Sequence, residues 1–402
     1  MAEITMSDLF SQETLSNPHA FYGRLREHER LSHFTLSGVG VWIIATSYAE
    51  SLELLKDPRL VCDRRNASVQ GGSLPSYGGP LALFSQNMLG ADPPDHTRLR
   101  TLVSKAFTPR MIEHLRPCIQ QITDDLLDAV QQEGSMDLIA DFAFPLPFTV
   151  ITDMLGIPAE ERQPFRVWTQ DLLAFLAAPE KEATGIVAAE AFIAYIKALV
   201  EHKRAYPDDD LTSDLVRVEE EGDRLSENEL ITMIWLLIVG GHETTVNLLG
   251  DGVLALLQHP EQLHLLQHNP GLLSSTIEEL LRYTTPVLFT GARWAREDIA
   301  LHDQVIRKGD LVRISLSAAN TDPQQFADPE TLDIARPLNR HLAFSKGIHV
   351  CLGAPLARLE GQIAIGTLLQ RFPNLRLACE PEQLKWNPAP YLRGLKTLPV
   401  AF

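Results

Sequence analysis

From Ser226 onward the chain offers a helix start, a long apolar run and no firm stop before Pro260. Ser226 and Glu229 have capping-box spacing, in which each side chain satisfies a free amide at a helix start. Some thirty residues at 1.5 Å each make a rod of roughly 50 Å, and such a rod must be covered by other elements. Helical periodicity also runs over about Thr97 to Gln132, Leu146 to Leu155, Phe165 to Leu176 and Ala183 to Arg204. Strand signals are few: Val41 to Ala45, a hairpin-like set at Ile299 to Leu301, Val305-Ile306 and Leu311 to Ile314, and Leu392 to Val400. The expected class is mainly α with a minor β region.

The apolar run Leu230 to Gly241 meets His242 and Glu243 well short of the ~20 residues a membrane span needs. Met1 to Phe10 carries Glu3 and Asp8 and no basic stretch, unlike a signal peptide. Cys62, Cys118, Cys351 and Cys379 are far apart, which excludes a zinc ribbon or a ferredoxin-type cluster and gives no disulfide framework. A cytoplasmic protein is expected, with no membrane association. Its formal charge of −17 would repel nucleic acid. No long linker divides the 402 residues, so residues 1–402 read as one domain. The glycine- and proline-rich stretch Asn66 to Gly90 reads as a functional loop.

The strongest chemical signal is Phe344-Ser345-Lys346-Gly347-Ile348-His349-Val350-Cys351-Leu352-Gly353, followed by a helix start at Ala354. A thiolate at a helix N-terminus gains from the macrodipole, and glycines let backbone approach a flat ligand. A lone cysteine is more often a buried structural residue; here the surrounding pattern argues otherwise. Glu279-Leu280-Leu281-Arg282 places an acid and a base on one helix face, which alone would read as a surface ion pair. Gly240-Gly241-His242-Glu243-Thr244-Thr245 puts poor helix formers mid-way along the long helix, where the turn can open. An acid and an alcohol at an opened turn suit proton delivery. With Val246 where a second histidine would stand, the zinc-protease pattern is absent. In Asp92 to Arg100, basic residues in a first helical turn oppose the dipole and suggest an anionic partner.

These four motifs, in this order, resemble the cytochrome P450 family of haem-thiolate monooxygenases, over about Asn17 to Pro399. Phe344, Gly347, Cys351 and Gly353 match the family's cysteine signature, with Ser345 where most members carry glycine. The resemblance implies a P450 fold with haem b between a long central helix and a cysteine-loop helix. It implies Cys351 as the axial iron ligand, and His96, Arg100, Arg293 and His349 as partners of the haem propionates. Glu243 and Thr244 would deliver protons, and Glu279, Arg282 and Arg336 would brace the cysteine loop. Leu83, Phe84, Val239, Val287, Phe289 and Leu392 are candidate contacts for an apolar small-molecule substrate. The pattern is most similar to soluble bacterial enzymes that hydroxylate polyketides and macrolides with O2.

After the cysteine loop about fifty residues remain, too few for a flavin domain. Electrons should therefore come from a separate ferredoxin or flavodoxin with its reductase. An acidic partner would need a basic patch, for which Arg98, Lys105, Arg110, Arg116, Lys346 and Arg358 are candidates. A monomer is expected. The competing readings are a peroxygenase of the same fold, a haem-thiolate isomerase or dehydratase, and a haem sensor without turnover.

Overall fold

The computed structural model describes residues 6–28, 31–36, 39–44, 47–67, 79–84, 86–177, 181–220, 225–302, 304–387 and 391–402. The glycine-rich centre of the expected loop, 68–78, lies outside them. Helices dominate, and the chain gathers into two compact units. One comprises Met1–Gly72, Arg116–Pro147 and Glu243–Phe402; the other comprises Ser73–Leu115 and Phe148–His242.

In the first unit the helices Arg116–Val130, Glu243–Gln258, Leu273–Thr284 and Ala354–Arg371 pack on one another. Gly361 lets two of them approach, since a Cβ there would lie 3.3 Å from Ile277 and 3.4 Å from Leu248. A five-stranded sheet runs Leu31–Leu36, Val39–Ile44, Leu311–Ile314, Arg293–Ala295, Leu60–Val61. Its core includes Leu54, Leu60, Ile299, Val312, Ile314 and Leu342, all buried.

The strand Leu311–Ile314 departs from the sequence expectation. Ile299–Leu301 and Gln304–Ile306 form a hairpin by themselves. Leu311–Ile314 pairs instead in parallel with Val39–Ile44 and antiparallel to Arg293–Ala295. Gly309, at φ 90°, turns the chain between the two pairings. Alternating apolar residues mark a strand but do not name its partner. Of the expected strand Leu392 to Val400, the described residues form the strand Pro399–Ala401, between Ser135–Asp137 and Arg376–Leu377.

The second unit packs Arg162–Ala177, Leu211–Glu220 and Glu227–Gly241 around the 24-residue helix Glu182–Ala205. Phe165, Phe192, Trp235 and Phe84 form an aromatic cluster with neighbouring ring centroids 5.0–5.7 Å apart. Glu182–Ala205 is long and apolar enough to cross a membrane by length and composition. It was not the segment the sequence singled out. Its last turn buries Lys203, whose ammonium meets Asp208 at 3.0 Å and Asp210 at 2.5 Å.

The capping box at Ser226 forms: Glu229 N–H donates to Ser226 Oγ at 3.3 Å, and Ser226 N–H donates to Glu229 Oε2 at 2.7 Å. The uninterrupted 50 Å rod does not form. Helix Glu227–Gly241 ends at His242 (φ −89°, ψ −74°), and Glu243–Gln258 begins at the next residue. The glycines and threonines that weaken helix propensity surround the break.

Candidate active site

Cys351 sits two residues before the helix cap Gly353, and its side chain is exposed. A Cβ on Gly353 would lie 3.9 Å from the sulfur, so the cap crowds nothing there. The loop is held from within: Cys351 N–H donates to the Phe344 carbonyl at 3.0 Å and Ser345 N–H to the Leu342 carbonyl at 2.7 Å. Gly347 takes φ 77°, and a Cβ there would strike the Leu55 carbonyl oxygen at 2.6 Å. Ser345 takes φ 60°, a left-handed conformation that favours glycine, and its buried hydroxyl has no hydrogen-bond partner among the described residues.

Behind the loop lies a polar knot. Arg282, wholly buried, donates to both oxygens of Glu279 at 2.8 and 2.7 Å, and to the carbonyls of Asn320, Pro329 and Thr331. Arg336 Nε joins Glu279 at 3.1 Å. Asn320 Oδ1 in turn accepts from Leu342 N–H at 2.7 Å, at the entrance to the cysteine loop. The adjacent Glu278 accepts from Arg358 Nε at 2.6 Å and contacts His341 at 3.2 Å, and the Arg358 guanidinium lies 4.6 Å from the Phe344 ring centre. Arg358 and His341 together hold the Glu278 carboxyl down to about 2 against its burial.

Arg293, on its short strand, is buried and donates to the Leu55 carbonyl at 3.3 Å. The half-buried His349 places Nε2 3.3 Å from Cys62 Sγ. Glu243 and Thr244 open the helix Glu243–Gln258, and both are partly buried. Burial pushes the Glu243 carboxyl above its ordinary value, so it holds a proton more readily. In the same unit Val287 and Leu392 face each other across an isolated antiparallel bridge. Phe289 is buried against Phe10 and Tyr22, with centroids at 6.1 and 6.3 Å.

The second unit carries the other expected residues. His96 is buried in the first turn of Asp95–Ala106, and Arg100 is half-buried one turn on. Burial, then the Arg100 charge, lowers the His96 pKa, which favours the neutral imidazole. Phe84 is committed to the aromatic cluster, while Leu83 and Val239 are half-buried.

Sequence reasoning overlooked Glu360. It is buried on the cysteine-loop helix, bonds the hydroxyl of Thr245, and is pushed up to about 8 by burial. The available signal was an acid among Leu356, Leu359, Ile363 and Ala364 on one helix face.

The cytochrome P450 family model matches residues 77–388. A relative named Cytochrome P450 CYP107DY1, from Priestia megaterium, is 50% identical over all of both chains. The chain belongs to the cytochrome P450 family. It is similar to the solved structure of the bacillaene polyketide synthase P450 PksS of Bacillus subtilis, at 44% identity and TM-score 0.91 over 98% of both chains. It is also 43% identical to the P450 monooxygenase PikC of Streptomyces venezuelae, over 97% of this chain and 92% of that one. This P450 is thus an enzyme of the monooxygenase family with natural-product-tailoring relatives, and the family implies a haem cofactor.

The donors of the P450 fit that group. The chain offers an accessible thiol ahead of an 18-residue helix, and buried or half-buried basic side chains suited to carboxylates. Two expected surface charges are otherwise engaged: Arg98 is bonded to Glu229, and Arg358 to Glu278. Lys105, Arg110, Arg116 and Lys346 are exposed.

Proposed function

We propose that this P450 acts as a single domain over residues 1–402, a haem b monooxygenase that inserts one atom of O2 into an apolar small molecule. The reaction is read as hydroxylation of a polyketide or macrolide, which is supported by relatives named for polyketide biosynthesis and for hydroxylation of 6-deoxyerythronolide B. The carrying observation is the helix that breaks at His242, so that an acid of raised pKa and an alcohol open its second half. A peroxygenase has no need of that pair.

When bound, haem supplies the oxidising power that activates dioxygen. Cys351 would ligate its iron, and the dipole of Ala354–Arg371 favours the thiolate it requires. Arg293, His349, His96 and Arg100 would take the propionates by charge-assisted hydrogen bonds. The Glu279, Arg282 and Arg336 knot keeps the cysteine loop in shape. Glu243 would pick up a proton from solvent and pass it to the Thr244 hydroxyl, with Glu360 holding a second proton beside Thr245. Val287 and Leu392, with Leu83, Phe84, Val239 and Phe289, would exclude water and orient the substrate. Electrons would arrive from a separate ferredoxin or flavodoxin to a monomeric, cytoplasmic enzyme.

The test is product formation by purified protein with a surrogate ferredoxin, its reductase and a macrolide library. Product should require both O2 and reductant. Thr244→Ala should keep substrate binding but release more hydrogen peroxide and less product per electron. Wild-type coupling in that variant would remove Thr244 from proton delivery, and product without O2 would exclude a monooxygenase.

A further inference from the structure

The C-terminal segment 391–395 carries Leu392, and it is fastened to the helix that carries Glu243 and Thr244. Arg393, buried, donates through Nη1 to Asp251 Oδ2 at 3.0 Å, across 142 residues of sequence. Asp251 lies seven residues after Thr244, two helical turns on and on the same face. Gly394 seats the segment against Asn247, between those turns; a Cβ on Gly394 would fall 1.9 Å from Asn247 Oδ1. Any side chain at that position would have to displace the buried Asn247 amide.

Further contacts hold Arg393 and its neighbours. Arg393 Nε donates to the Leu15 carbonyl at 2.7 Å, and its guanidinium stands 3.9 Å from the Trp386 ring centre. Its backbone N–H donates to the Pro286 carbonyl at 2.9 Å, and Leu288 N–H donates to the Tyr391 carbonyl at 2.8 Å. These two bonds flank the Val287–Leu392 bridge. Tyr391 is held in the left-handed region at φ 74°, with the Arg313 guanidinium 3.8 Å from its ring centre. The bridge and the buried Arg393 side chain thus lie on one short segment, 391–395.

The fastening has slack on one side. Among the described residues, Asp251 Oδ1 and His19 Nδ1 are buried without a hydrogen-bond partner, although the Leu395 amide also bears on the Asp251 carboxylate, and both residues line a polar cavity of about 280 Å³ with Ser16, Asn17, Tyr283 and Arg393. His19 Nε2 lies 3.1 Å from the Tyr283 carbonyl, which makes it the donor and leaves Nδ1 as an acceptor.

We propose that Asp251 and Arg393 are positioning residues which, by clasping segment 391–395 to the Glu243–Thr244 helix, set how far the Leu392 wall stands from the reacting centre and so which substrate sizes fit. The proposal rests on the reading of Leu392 as a pocket residue in a haem enzyme. Breaking the clasp lets the wall retreat and favours longer ligands, without altering the iron ligand or the proton-bearing side chains.

The probes are imidazole, too small to reach a wall, and 4-biphenylylimidazole, titrated by the absorbance change of the purified haem protein. In Arg393→Ala the ratio of the two affinities should move more than threefold toward the larger ligand, while imidazole binds as in wild type. Arg393→Lys, which keeps the charge, should restore most of the wild-type ratio. If Arg393→Ala does not load haem, the apolar pair Asp251→Leu with Arg393→Met takes its place, since a well-packed apolar pair often replaces a buried ion pair without loss of stability. A ratio within threefold of wild type, or a shift toward imidazole, overturns the proposal. So does failure of both variants to load haem, which would make the pair a scaffold element. A wild-type protein without a haem spectrum overturns the haem reading itself, and the clasp with it.

Discussion

Arg282 and Arg393 are both buried and each faces a carboxylate, but they are secured in different ways. Arg282 finds Glu279 three residues away on its own helix, and its remaining donors meet three backbone carbonyls. Glu279 also receives Arg336 Nε, Asp333 N–H and Asn339 Nδ2. Arg393 reaches Asp251 across the chain, and among the described residues one carboxylate oxygen of that pair has no hydrogen bond. Removing one member of the densely bonded Glu279 network strands several buried groups, whereas fewer bonds depend on the Asp251–Arg393 pair. The first suits a scaffold that must not move beneath the cysteine loop; the second suits a wall whose position can be tuned.

The sharpest way to break this distinction is Arg282→Ala. It leaves the buried Glu279 with only the Arg336 charge, and truncating one partner of a buried pair costs about 3–5 kcal/mol. Urea unfolding should show that loss, together with poor haem loading. A change below about 1 kcal/mol would mean that the knot is no more rigid than the clasp.

Glu360 sharpens the comparison from the opposite side, as a buried carboxyl with an alcohol for a partner and no cation. Its pKa of about 8 lies above its unfolded value, so between about pH 4.5 and 8 the folded chain holds a proton the unfolded chain has released. Stability from this group is full below that window and falls by about 1.4 kcal/mol per pH unit across it. Glu360→Gln has no such proton to hold. Its stability relative to wild type should climb from pH 5 to pH 8 in urea melts, and a constant difference would show that Glu360 is ionised at neutral pH.

Ser345→Gly is the smallest test. Glycine removes the left-handed strain and the unpartnered hydroxyl, at the cost of a more flexible unfolded chain. A net gain of up to about 1 kcal/mol is expected in thermal melts. A loss would show that the serine hydroxyl braces the loop as the Glu279 knot does.

What the sequence made legible was local. The cysteine loop, the Glu279 and Arg282 spacing and the Ser226 box each lie within about ten residues, so their geometry follows from helix and turn rules. Arg336 was reachable only through the family resemblance, and the structure brings it onto Glu279. The clasp was not legible, because 142 residues separate its members and nothing near Asp251 marks a distant cation. Arg98 and Arg358 looked like free surface charges because their partners, Glu229 and Glu278, are remote in sequence. The helix break was half legible: weak helix formers marked the place, but only packing decides whether such a turn opens.

The account stands on Cys351 as the iron ligand, and the spectrum of the reduced carbon monoxide complex tests this most directly. Wild type, Cys62→Ala, Cys118→Ala and Cys379→Ala should each show the red-shifted Soret band that a thiolate ligand gives, and Cys351→Ala should lack it. A Cys351→Ala protein that keeps the band, or a wild type that never shows it, would contradict the assignment.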